Sequence, residues 1–487
     1  MTATAHEPTD AVRLPAGWPD VLDVDPADRR VLGAVVVAAV ATDLALRSGL
    51  AGIAGVLLFF VVTGGLLASG RVVNRRAWPL LLAAPGFGMW LVGRDAEWLL
   101  GLDVLAAGGL LVLGASLARR GDPLNQSIPD VLGRALHAFV HGVLAAGFAL
   151  GALRRGDTRS SAPVAVARGI LLAGPIVVAI GLLLGSADPV FASFFRLPTD
   201  FGDLLVHLIF LGIGGWGASG LLRMASAAPY GLRPSERRPL GALEAATILG
   251  GLVAVFSAFA VSQVVTVLGG DSYVRRTSGL SYADHARSGF FQLLAVAALT
   301  LGVLLVVRAT VEHHDRRFVV LSEAAVLLTL VVVVGALRRL ALYEQAYGLT
   351  VLRLWSVVFA LWIGAVFVLF GLSVAGWHRL RSWFVPATMA LGLAGLFVLN
   401  VVNPEAVIVA RNVDRFAGTD RLDVPSLVGL SDDAVPTLFD RLDRLSPSQR
   451  VEVLERLCNG RRGGEGGVWS FNASRDAAVE ARNQGCG

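Results

Sequence analysis

Polar side chains able to do chemistry are sparse in this chain and fall in a few places. The run Thr277 to Leu294, TSGLSYADHARSGFFQLL, carries Asp284 and Arg287 at i, i+3, a spacing that pairs an acid with a base on one helix face. The run Ala341 to Arg353, ALYEQAYGLTVLR, sets Tyr343 and Tyr347 one helical turn apart, with Glu344 beside them and Gly348 as a helix-ending residue. An acid at Glu344 is placed to reach an arginine such as Arg353 or Arg287. The four charges Asp284, Arg287, Glu344 and Arg353 would then meet at one membrane surface and form a substrate entrance. The plainer reading makes the first run an interfacial anchor, with Ser281 as its helix cap and Tyr282 and Phe290 at headgroup depth.

Asp103 is a different kind of candidate, because it sits inside an apolar run. A carboxylate at the centre of a bilayer costs about 2.5–3.5 kcal/mol and needs a partner or water. Asp103 therefore serves either a buried helix-packing pair or a proton or ion pathway. Asp43 poses the same choice on a shorter apolar segment, and Glu244, Glu323 and His207 lie nearer span ends. The amides of Asn400 and Asn403, in NVVNP, are read as caps or helix-to-helix hydrogen bonds.

His137 and His141 have the i, i+4 spacing of two metal ligands, but no third ligand accompanies them. Glu312, His313, His314 and Asp315 read as a solvated turn. No GxSxG, HExxH or GxGxxG followed by strand and acid occurs, so the common hydrolase, zincin and dinucleotide signatures are missing. Every one of the 42 basic residues is arginine, which excludes the P-loop lysine and all lysine-nucleophile chemistry. With only Cys458 and Cys486, neither a zinc cluster nor a disulfide scaffold is indicated. No cofactor, metal or nucleic-acid signal is present, and an enzyme is the less favoured class.

The elements that must hold these residues are membrane helices. Hydrophobic residues make up 55% of the 487-residue chain, charged residues only 16%, and mean hydropathy is +0.65. One soluble core cannot hide so much apolar surface. The apolar runs are long and do not alternate, so they predict helices, not barrel strands. The fold expected is an all-α polytopic bundle of about eleven spans, near 31–46, 50–70, 77–93, 97–118, 165–185, 204–222, 242–266, 289–307, 317–337, 350–375 and 383–402.

Segment 131–153 reads as an interfacial helix or a twelfth span. With eleven spans and a cytoplasmic N-terminus, the inner loops collect more than twice as many arginines as the outer ones; a twelfth span nearly erases that bias. The count thus favours the interfacial reading and puts the C-terminal tail outside. Residues 1–30 read as a disordered tail, 31–402 as the transmembrane domain, and 403–487 as a polar tail with two short helices and a flexible end. One of these starts after Ser431; the other starts at Ser446, with Pro447 at its first position and Gln449 completing a capping box. The lipid bilayer is the partner that composition demands, and the tail is a candidate surface for a protein partner.

Four stretches occur in a fixed order: SADPVFA (Ser186 to Ala192), LSYADHARSGFFQLL (Leu280 to Leu294), ALYEQAYGLTVLRLW (Ala341 to Trp355) and NPEAVIVARNVDR (Asn403 to Arg415), followed by LSDDAVPTL. The ordered set resembles a family of bacterial multi-pass membrane proteins, the domain of unknown function 4173, with 4153 as a near relative. The resemblance covers roughly residues 120 to 440. It implies a helical membrane fold and a bacterial inner-membrane location, and it implies no activity. His285 departs from the aromatic or polar residue expected there. Three functional readings follow: a transporter or ion-coupled protein, a non-catalytic scaffold or signalling partner, and an interfacial enzyme using Asp284, Arg287 and Glu344.

Overall fold

The computed structural model describes residues 24–153, 199–228, 240–278, 290–311, 315–376, 382–416, 419, 422–459 and 467–486, with isolated positions between 177 and 188. Within them the chain forms helices α1 (Arg29–Arg47), α2 (Ile53–Ala68), α3 (Trp78–Gly88), α4 (Trp90–Gly93), α5 (Glu97–Ser116), α6 (Ile128–Val143), α7 (Ala145–Leu153), α8 (Thr199–Ser226) and α9 (Ala242–Ser278). They continue as α10 (Phe290–Thr310), α11 (Arg316–Tyr347), α12 (Val351–Val374), α13 (Phe384–Val402), α14 (Pro404–Phe416), α15 (Val424–Val428), α16 (Val435–Phe439), α17 (Pro447–Cys458) and α18 (Ala473–Gly485). Only two isolated bridges, and no strand, accompany them among the described residues. The protein is all-α and membrane-type.

Seven of these helices, α5 and α8 to α13, are long and apolar enough to cross a membrane. The 16-residue α2 is a shorter apolar helix. Segment 165–185 lies largely outside the described residues, as does 279–289, which includes Asp284 and Arg287. The expected span 77–93 is divided at Met89 into α3 and α4. Pro85 inside α3 has no N–H to give the Leu81 carbonyl one turn back, and a freed carbonyl in hydrocarbon needs another donor. Thr63 of α2 supplies it, its hydroxyl donating to Leu81 O at 3.2 Å.

Local signals set the helix ends. Asp28 caps α1 by accepting from Val31 N at 2.9 Å, Asp315 caps α11, and Thr350 caps α12. Asn403 takes a left-handed φ of 54°, which ends α13 and lets Pro404 open α14 in a new direction.

Three hydrophobic cores result. The first joins α1 to α5 with α8 through residues such as Val31, Leu66, Leu81, Leu110 and Leu222. The second joins α9 to α12 through Leu249, Leu304, Val326, Ile363 and Phe367. Large apolar side chains such as Leu105, Leu299, Leu327 and Val334 point outward, as lipid-facing surfaces do. The third core belongs to the tail: Ile408, Val409, Val413, Leu427, Leu438, Val453 and Ala478 pack α14 to α18 into a folded cap.

The cap sits on the helix ends around Gly52, Arg94 to Trp98 and Asn400 to Asn403. At Gly52 a Cβ would meet the Trp469 carbonyl oxygen at 2.9 Å, so only glycine lets the turn at 468–470 approach. The opposite end of the bundle is held by Arg71 near Asp25 and Asp28, Arg119 with Asp25, and Arg76 with Asp122 at 2.8 Å.

One expectation is overturned. Cys458, the last residue of α17, and Cys486, just past α18, are joined in a disulfide across 28 positions, with Cα atoms 5.8 Å apart. Two cysteines gave no pattern to read; the helical hairpin of the cap brings them together.

The helix α6 is built inside out. Arg134, His137 and His141 are buried against α5 and α8, while Leu132, Leu136 and Phe139 are 66%, 58% and 69% exposed. Such a helix hides its polar stripe in protein and offers its apolar stripe to lipid, the reverse of a helix resting between a bundle and water.

Candidate functional site

Asp103 lies on the second turn of α5 and is fully buried. At 1.5 Å per residue that is roughly 9 Å from the start of the helix and about 5 Å from its midpoint, so the acid lies nearer the centre of the span than its end. Its partner is Asn400 on α13, whose Nδ2 donates to Asp103 Oδ1 at 2.8 Å and to Leu396 O at 3.1 Å. Asp103 Oδ2 and Asn400 Oδ1 are both buried and receive no hydrogen bond among the described residues. Helix α13 otherwise buries only Phe384, so this pair is its main polar tether. Beside it, α5, α6, α12 and α13 line an open apolar cavity of about 630 Å³ whose walls include Leu102, Leu105, Trp355, Trp362 and Leu396.

A column of polar groups climbs from this pair into the cap. Arg94 donates through Nε to Asn400 O at 2.7 Å, satisfying a carbonyl at the end of α13, and its NH1 lies 3.8 Å from Asp433 Oδ1. Asp433, of the cap, accepts through Oδ2 from Asp95 N at 2.9 Å and Ala96 N at 2.8 Å. It thus fixes the backbone just ahead of α5 from more than three hundred residues away. Its Oδ1 accepts from Ser474 Oγ at 2.6 Å.

Asn472 donates to Leu91 O and Arg94 O, while its own side-chain oxygen caps α18. Glu405 accepts from Ser431 N and Oγ with one oxygen and from Trp98 Nε1 at 3.2 Å with the other. Arg475 bonds Asp95 at 2.6 Å, yet burial pushes the Asp95 carboxyl above its ordinary value despite that arginine.

The second sequence candidate is only partly assembled. Tyr343 and Tyr347 meet edge to face at 5.0 Å between centroids, as their spacing requires. Glu344 pairs with Arg411 of α14 at 3.1 Å. Arg353 is otherwise engaged: its guanidinium donates to Tyr347 O and Gly348 O and lies 4.3 Å from the Tyr343 ring centroid. Glu344, Arg411, Asn412, Asp414 and Arg415 line an open polar cleft of about 430 Å³. Asp284 and Arg287 lie outside the described residues, so the four-charge cluster is represented here by Glu344 and Arg353 alone, each with its own partner.

Two further groupings draw on polar residues the sequence had scattered. His207 Nδ1 and Asp43 Oδ2 meet at 2.7 Å between α8 and α1. His141 and His137 approach Nε2 to Nε2 at 3.2 Å, with Arg223 of α8 on the other nitrogen of His141. With an arginine there, Nδ1 of His141 accepts and its Nε2 carries the proton toward His137. No group of three metal-binding side chains occurs among the described residues.

The residues that sequence reasoning missed are Arg94, Asp95, Glu405, Asp433 and Asn472. Glu405 and Asp433 lie in stretches that carry the family resemblance, NPEAVIVARNVDR and LSDDAVPTL, but the roles of all five follow only from the folding back of the cap. Pro404 after Asn403 was the one local sign that the chain turns there.

Fold and sites together define a polytopic helical membrane protein with a folded polar cap docked on its span ends. The family model described as Domain of unknown function (DUF4153) matches residues 79–440, and the chain belongs to that family. Neither a curated protein nor a solved structure matches it.

Proposed function

We propose that the protein is an ion-coupled membrane transporter in which Asp103 is the group that takes up and releases a proton. The observation that carries this reading is the pair of orphan oxygens, Asp103 Oδ2 and Asn400 Oδ1, both buried and borne by the two partners of one hydrogen bond. Two acceptors left over in a low-dielectric interior call for a positive partner, and a proton on Oδ2 is the smallest one that fits. Arg94 bonds the Asn400 carbonyl and stands beside Asp433, so a change at Asp103 that shifts Asn400 is felt by the cap. The adjoining apolar cavity gives α13 room to move. The membrane in this reading is the bacterial plasma membrane, with the N-terminus in the cytoplasm.

The test is infrared difference spectroscopy of the reconstituted protein across a pH step. The wild type is expected to show a protonated-carboxyl C=O band that disappears at high pH, and Asp103→Asn to lack that band. Proton flux into proteoliposomes is expected to be lost in the same variant; unchanged flux in Asp103→Asn overturns the reading.

A second reading is an interfacial ligand site at Glu344, supported by its place with Arg411 on the wall of the 430 Å³ cleft. Glu344→Gln with unaltered activity, where Asp103→Asn abolishes it, excludes that role.

A further inference from the structure

Cys458 and Cys486 belong to the cap and stand apart from the proton site on α5 and α13. It joins the ends of α17 and α18 at a place where α18 is lightly held. Of that helix only Ser474 and Ala478 are buried, and its far end rests on Phe439, whose ring a Cβ at Gly485 would meet at 2.3 Å. The polar contacts of α18, from Asn472, Ser474 and Arg475, cluster at its start. Toward its far end Arg482 bonds Asp432 at 2.6 Å, and the disulfide closes it.

Disulfides persist in oxidising compartments and are rare where thiol reductants rule. A second, independent criterion concerns the two ends of the bundle. The end opposite the cap gathers Arg71, Arg75, Arg76, Arg119 and Arg120, the arginine excess expected of a cytoplasmic face. Both criteria assign the cap to the same side.

We infer that Cys458 and Cys486 are an oxidative modification site completed outside the cytoplasm, and that the cap is an extracytoplasmic lid over the Asp103 column whose last helix is fastened covalently to the rest of the cap. The oxidant is a protein disulfide of that compartment. The thiolate of one cysteine attacks the donor disulfide, giving a mixed disulfide and a donor thiol. The thiolate of the other cysteine then displaces the donor's second sulfur. Two S–H bonds and the donor S–S bond are broken; one S–S bond and two donor S–H bonds are formed.

The experiment uses the full-length protein in intact cells. Free thiols are blocked with a maleimide, the protein is denatured, and a polyethylene-glycol maleimide is added before or after reduction. No shift is expected without reductant and a two-adduct shift after it, absent from the Cys458→Ser, Cys486→Ser variant. A membrane-impermeant phosphine applied to cells stripped of any outer permeability barrier is expected to open the bond. Thiols blocked at the first step, or a bond opened only after the membrane is permeabilised, overturn the inference. In the double variant, limited proteolysis is expected to release the C-terminal segment faster than in the wild type while the infrared carboxyl band persists. That readout separates failure of the lid from failure of the proton site.

Discussion

Asp433 shows how much one carboxylate can hold. It accepts two backbone N–H groups at the start of α5 and a serine hydroxyl from α18, and it is nearly inaccessible to water. Truncating it leaves those donors buried, at about 1–3 kcal/mol for each group left unsatisfied. Asp433→Ala is expected to undock the cap, read as faster proteolytic release of the C-terminal segment, whereas Asp433→Asn keeps one acceptor oxygen and has the smaller effect. Asp95 behaves in the opposite sense. Its carboxyl is raised above 3.8 by burial, so the folded protein binds that proton more tightly than the unfolded chain does. The contribution to stability is full below the unfolded value and declines as pH rises through the folded one. Asp95→Asn is therefore expected to flatten the loss of stability as pH rises above the ordinary carboxylate range and to leave the melting temperature at neutral pH unchanged or raised. A clear drop at pH 7 would show that the bond to Arg475 outweighs desolvation. Asp103 was visible in the sequence because a lone acid in an apolar run violates hydropathy. Asn400 could be named as a helix-to-helix hydrogen-bonding amide, yet nothing local says which helix it meets.

Helices were legible wherever hydropathy alone decides them, as in α10, α12 and α13, and where a cap is a short pattern, as with Ser446 and Gln449 around Pro447. Pairings between helices were not, because they depend on which small residues face which neighbour. The Leu81 carbonyl freed by Pro85 is an instance: proline announces the gap, but only the fold reveals Thr63 as the donor. Thr63→Val removes that donor and is expected to destabilise the bundle by about 1–2 kcal/mol, measured by thermal unfolding in detergent. Between α1 and α8 the contact is closer still. A Cβ at Gly214 would meet Thr42 Oγ1 at 2.4 Å and Ala39 Cα at 3.0 Å. Gly214→Leu is expected to force these helices apart, break the Asp43 to His207 contact and lower the melting temperature more than Gly212→Leu, where a Cβ meets nothing within 4 Å.

At the level of the whole protein, two membrane cores and a cap share one polar column, and the cap makes the ends of α4, α5 and α13 interior. Composition marked the tail as a separate region; its fold-back onto Arg94 and Asp95 left no trace in local sequence. Ala96 is 1% exposed beneath the cap. An Ala96→Cys variant is expected to resist an impermeant maleimide in the full chain and to react readily in a chain ending at Asn403. The column also sets a timetable for synthesis. Asp103 precedes Asn400 by 297 residues. At about 5–20 residues per second its carboxyl spends roughly 15–60 s in the growing chain before its amide partner is made. The N–H groups at Asp95 and Ala96 wait longer, since Asp433 follows Ala96 by 337 residues. A nascent chain stalled before Asn400 thus carries an acid without its amide partner and, ahead of α5, two backbone N–H groups without their acceptor.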